Sequence, residues 1–184
     1  MNRGNVINAV LFQAAWFGCV LGGAQDVALW GLAAVLALAV YSLNAGTAGR
    51  DLVLASVAAA VGFLVETLWI RSGVLVYGDA MMAPLWIVLL WVGVGLTINH
   101  SLSMFKRRPW LGGLLAAGSA PLSYLAGERF AAVTVPDPWL LGAVSASWFV
   151  LFTLAFALAR EGEVYDAAPG LLEDGVLDEK RSTT

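Results

Sequence analysis

Six apolar runs, each ended by charged or turn-forming residues, divide the chain. They cover residues 6–24, 27–43, 52–70, 84–105, 110–130 and 138–159. At 1.5 Å per residue each run, the second only just, is long enough to cross about 30 Å of hydrocarbon as a helix. Polar and apolar residues do not alternate with period two, which argues against a membrane β-barrel. Composition removes the soluble alternative. Of 184 residues, 60% are hydrophobic and 12% charged, with mean hydropathy +0.80, against about 45–50% and about 25% in soluble domains. The expected fold is all-α: a polytopic membrane protein built as a bundle of six transmembrane helices over residues 1–160. Residues 161–184 hold seven of the thirteen acidic residues and mix them with Gly, Pro, Ser and Thr. That composition predicts a disordered acidic tail.

Lys and Arg on short loops set orientation. Arg3, Arg50, Lys106, Arg107, Arg108 and Arg160 fall on one side, and only Arg71 and Arg129 on the other. Six against two predicts both termini in the cytoplasm of a bacterial inner (plasma) membrane. Arg3, the first apolar run and Gly22-Gly23-Ala24 imitate a cleavable signal peptide. Asn8 and Gln13 interrupt that run, however, and Ala14, Gly18 and Gly22 form a small-residue ridge suited to close helix packing. Gly112, Ala116 and Ala120 form a second ridge, which predicts a central place for the fifth helix.

Ionisable residues inside a span are costly and count as functional candidates. Depth sorts the polar residues into two groups. Near the outer face lie Glu66, Tyr124, Glu128 and Arg129, with Arg71, Tyr77 and Asp79 adjoining. Near the inner face lie Asn8, Asn99, His100 and Ser101. Tyr124 and Glu128 are i, i+4 and share a helix face with Pro121, whose missing N–H frees a carbonyl one turn earlier. Each group also has a plainer reading. Glu66 pairs with Arg71 or Arg129, Glu128 and Arg129 form an interfacial pair, and the inner residues bond across a helix contact. Lys106 to Arg108 read as a topology signal. One histidine and one cysteine, Cys19, leave no set of metal ligands, and no cofactor is expected. Nucleophile, Walker and zinc-protease motifs are absent, and the basic loops are too short for nucleic acid.

The strings "NAVLFQAAWFGCVLG", "PLWIVLLWVGVGLTINHSL" and "APLSYLAGERFAAV" resemble a family of small, uncharacterised bacterial inner-membrane proteins, a domain of unknown function. The resemblance runs to about Arg160 and omits the tail. It implies a polytopic membrane protein with no assigned reaction and a link to membrane lipid. Three functions follow as expectations. The first is a non-enzymatic accessory subunit that binds lipid or another membrane protein. The second is an integral-membrane enzyme acting on a lipid or isoprenoid, with His100 or Glu66 as general acid or base, which needs a lipid-sized cavity reaching that residue. The third is a small transporter or channel, which needs a polar path between the two groups.

Overall fold

A computed structural model describes residues 3–182, with side chains described as far as residue 161 apart from Leu43. Six α-helices account for the apolar runs: α1 (Arg3–Ala24), α2 (Ala28–Asn44), α3 (Ala48–Arg71), α4 (Leu85–Gly95), α5 (Pro109–Arg129) and α6 (Leu141–Ser182). Short 3-10 turns at Ser103–Arg107 and Pro138–Leu140 precede α5 and α6. By length and composition three helical segments can cross a membrane: Arg3–Ala24, Ala48–Arg71 and Pro138–Glu161. The backbone of α6 continues as helix to Ser182, through the segment for which a disordered tail is expected. Side chains from residue 162 on lie outside the described residues.

The fourth run departs from expectation. A continuous helix over 84–105 is predicted, but α4 stops at Gly95 after 11 residues. The chain then tightens into successive turns in which the N–H of Thr97, His100 and Ser103 each bond three residues back. Side chains cause the break by competing for the backbone. Thr97 Oγ1 donates to the Val94 carbonyl at 2.6 Å and Ser103 Oγ to the His100 carbonyl at 2.7 Å. From α1, Asn8 Nδ2 donates to the Leu96 carbonyl at 3.2 Å, and Asn8 Oδ1 accepts from both the N–H and the Oγ of Ser101. Non-helical backbone at membrane depth is tolerated where protein groups satisfy it. Asn8 does so here.

Helix packing is pairwise. α1 packs on α2, α3 on α4, α5 on α6, and α4 also meets α1 and α2. Small residues make these approaches possible, as the first ridge predicts. A Cβ on Gly18 would stand 2.9 Å from the Trp30 carbonyl oxygen, and one on Gly22 would stand 2.5 Å from that of Val27. The second ridge is buried against α6, where a Cβ on Gly112 would meet the Phe156 ring. The fifth helix therefore flanks the bundle, with α6 as its main neighbour, rather than occupying its centre. Gly95 marks a close approach of the α4 backbone to that of α3, since a Cβ there would lie 2.5 Å from Ala55 Cα. Backbone atoms cannot yield as a side-chain tip can. Gly95→Val is expected to cost about 1–3 kcal/mol, read as a lower midpoint of thermal unfolding in detergent.

Two loops close one end of the bundle. α3 ends in a Schellman motif: Gly73, at φ +74, sends its N–H to Ile70, and Val74 sends its N–H to Trp69. The 72–84 loop then pairs with the 130–137 loop through Val76 and Thr134, with mutual N–H to carbonyl bonds of 3.0 and 2.7 Å. Val74, Leu75, Tyr77, Ala132, Val133 and Val135 turn inward and are buried. Together they cover the C-terminal ends of α3 and α5.

Candidate functional site

Under these loops lies Glu66, fully buried at 0% exposure. Three neutral donors converge on its carboxyl. Oε1 accepts from the Tyr124 hydroxyl at 2.5 Å and from the Trp91 indole N–H at 3.1 Å, while Oε2 accepts from the Tyr77 hydroxyl at 2.8 Å. The donors come from α5, α4 and the 72–84 loop, so this one side chain ties three parts of the fold to α3. Burial, reinforced by the neighbouring Glu66, pushes the Tyr77 phenol well above its ordinary pKa, and it remains a donor.

Depth alone groups Glu66 with Tyr124, Glu128 and Arg129, and the structure joins only the first two. Glu128 Oε1 instead accepts from the Val135 N–H at 2.8 Å and so fastens the 130–137 loop to α5. Arg71 and Arg129 are exposed. Among the described residues the Glu66 carboxyl is held by neutral groups, which corrects the expected ion pair. Trp91 escapes a reading by polarity, because an indole inside an apolar run looks like packing.

The inner group divides into two linked networks. Asn8 and Ser101 brace the broken helix as above. Asn99 and His100 turn to α3, where Asp51, fully buried, receives them: Asn99 Nδ2 at 2.7 Å from Oδ1 and His100 Nε2 at 2.7 Å from Oδ2. On an ideal helix these neighbours would point about 100° apart. The tightened turns let both reach one carboxylate. Thr47 Oγ1 also donates to Asp51 Oδ2 at 2.7 Å, and Lys106 Nζ donates to Asn99 Oδ1 at 3.0 Å. Lys106 is 5% exposed, so it is more than a topology signal. Asp51 reads in the sequence as a loop acid. Its one local signal is Thr47 four residues earlier, at the start of the third helix.

A cavity of about 460 Å³ connects to the Glu66 cluster. Its wall takes residues from α1, α3, α4, α5 and α6, with Glu66, Tyr124, Trp91 and Trp148 at one end and Phe105, Gly112 and Phe156 at the other. Along α4 it extends from Trp86 to Val94, roughly 12 Å at 1.5 Å per residue. Its surface is overwhelmingly apolar, and Glu66 supplies its one ionisable acid group among the described residues, with no Lys, Arg or His. Leu115 and Leu122 line it and are exposed, so the cavity is open to the surface beside α5. Between α1 and α5 the wall is a thin bridge. Trp16 Nε1 donates to Ser123 Oγ at 3.0 Å, and the Trp16, Phe17 and Phe130 rings meet edge to face. His100 is absent from the wall.

Fold and site together define an all-helical protein with helices able to cross a membrane and an apolar cavity ending at a buried carboxyl. The chain belongs to the family described as "Protein of unknown function (DUF2878)", whose model matches residues 5–154. The match contains every residue of both polar clusters and of the cavity wall except Phe156. No curated protein and no solved structure matches the chain.

Proposed function

We propose that this chain is a six-span protein of the bacterial inner membrane, with both termini cytoplasmic, that holds one apolar lipid chain between its helices. It acts as a lipid-binding accessory subunit, and Glu66 marks the polar end of the site. The observation that carries this reading is the cavity of about 460 Å³ that is mostly apolar and reaches Glu66. Its volume falls within the range of about 300–1,000 Å³ typical of ligand pockets. A cavity of this size, roughly 12 Å long along α4, has room for an alkyl chain. The opening beside Leu115 and Leu122 faces the direction from which a membrane lipid would arrive.

The same contact gives the enzyme reading one specific observation in its favour. A phenol and a carboxyl 2.5 Å apart at the end of a lipid-sized cavity are placed for proton transfer. The two readings separate by whether the bound lipid is recovered changed. A transport path has less behind it, because Phe105 and Phe156 occupy the wall away from Glu66.

Native mass spectrometry of protein extracted gently from its own membrane tests the proposal. Wild type is expected to carry one single-chain lipid. Ala116 is a buried residue of the cavity wall on α5, and Ala116→Phe is expected to fill the space and lose the lipid while thermal unfolding confirms a folded protein. Wild type free of lipid, or an unchanged load in folded Ala116→Phe, would overturn it.

A further inference from the structure

We infer that the bound chain carries an uncharged oxygen, a hydroxyl or a ketone, near its middle, held at the cavity mouth by Gln13 and Ser119; this rests on the lipid-chain reading above. Gln13 stands ten residues from Arg3 and eleven from Ala24 in α1. Its amide therefore lies about 15 Å from either end of a helix able to cross a membrane. Gln13 lines the cavity, is exposed, and makes no hydrogen bond with any described residue. An amide left without a partner in hydrocarbon is strongly disfavoured. Across the mouth, Ser119 on α5 is also exposed and also lines the cavity. The Trp16–Ser123 bond sets the two helices in register. Both run away from the end where Asn8 binds Ser101 and Lys106 binds Asn99. Gln13 precedes Trp16 by three residues and Ser119 precedes Ser123 by four, about one turn in each helix, which brings the two polar side chains level. Ser119 Oγ directs its proton to the Ala116 carbonyl at 3.0 Å and keeps lone pairs that can accept.

Measured along α5, the cavity runs from Tyr124 to Gly112. Ser119 is five residues from the first and seven from the second, so the polar pair falls at the middle of its length. At the Tyr124 end the polar atoms of Glu66 and Tyr124 are buried and bonded to each other, and the opposite end is closed by Phe105 and Phe156. Recognition of polarity falls to the mouth. A chain with an oxygen at its middle accepts a Gln13 N–H there, while its two arms fill the apolar lengths on either side. A hydroxyl also donates, to Ser119 Oγ or to the Gln13 carbonyl. A charged group at this depth would sit in a wall without Lys, Arg or His, where an uncompensated charge is costly. A plain chain would leave the Gln13 amide bare.

The full chain in lipid nanodiscs tests this, with four probes: methyl stearate, its derivatives with a hydroxyl or a ketone near the middle of the chain, and its isomer hydroxylated beside the ester. Native mass spectrometry reads the bound load of each. Both mid-chain compounds are expected to bind about tenfold more tightly than methyl stearate, the scale of one net hydrogen bond. The isomer hydroxylated beside the ester should bind like methyl stearate. Gln13→Leu, at an exposed position with no partner to lose, should fold normally, take methyl stearate as before and lose the mid-chain preference. Equal binding of all four would overturn the inference and leave the chain-binding cavity standing. Preference for the isomer, or a mid-chain preference that survives in folded Gln13→Leu, would also overturn it. So would a Gln13→Leu that splits an oligomer with the preference unchanged, because Gln13 would then belong to a contact between spans. No binding of any probe would remove both readings.

Discussion

Asp51→Asn is expected to lower the stability of the detergent-solubilised protein by about 3–5 kcal/mol, the range for breaking a buried charge pair by removing one partner. Asp51 is buried at the first turn of α3, where the helix dipole favours a negative charge. Its two oxygens receive Thr47, Asn99 and His100, and Asn99 in turn receives Lys106. An asparagine keeps the shape but presents an N–H where a donor already points. It also removes the negative charge at the far end of the bridge by which Asn99 joins Lys106 to Asp51. Lys106→Met tests that linkage. If the two charges act through Asn99, the double variant should lose less than the sum of the single variants, with a coupling of about 0.5–3 kcal/mol. Thermal or denaturant unfolding reads all three. Strict additivity would mean that Asp51 and Lys106 stabilise the fold separately. A wild-type midpoint for Asp51→Asn would mean that the network contributes nothing net.

Asp51 also shows where sequence reasoning reaches its limit in this chain. The helix positions were legible, because apolar runs punctuated by charges and by Gly73 translate directly into elements: α1, α3 and α5 fall close to their expected bounds. The grouping of Glu66 with Tyr124 was legible too, since matched depth on two spans is a distance constraint that needs no tertiary detail. The break of α4 at Gly95 was not. Residues 84–105 read as one apolar helix, and what interrupts it, together with the hydroxyls of Thr97 and Ser103, is Asn8, 88 residues from the Leu96 carbonyl it binds. Nothing local announces such a partner. Asp51 was hidden for a related reason: an acid beside a glycine-containing loop looks solvated until the turns after Gly95 bring His100 and Asn99 onto it. Glu128 misled in the opposite direction. Its i, i+4 relation to Tyr124 is real, but the 130–137 loop folds back and its Val135 N–H takes the carboxyl.

Glu66→Leu is expected to destabilise the protein by several kcal/mol, and Glu66→Gln by much less. Leucine approximates the volume but leaves the hydroxyls of Tyr77 and Tyr124 and the indole N–H of Trp91 without their acceptor. Each orphaned buried donor costs roughly 1–3 kcal/mol, and the two-loop cover over this end of the bundle limits relief by water. Glutamine keeps an oxygen for Tyr124 and Trp91. At the other position its amide N–H meets the Tyr77 oxygen, and a phenol that can rotate its proton away accepts that bond. The expected cost is about 1 kcal/mol, the scale of one net hydrogen bond. A cation paired with Glu66 would reverse this pattern, since removing the negative charge would then be the costly step and Gln would fall with Leu. Unfolding midpoints of the two variants in the same detergent decide between the arrangements. If Gln and Leu are equally destabilised, charge holds this site. If neither is, the three donors find other partners and the carboxyl does not organise the fold.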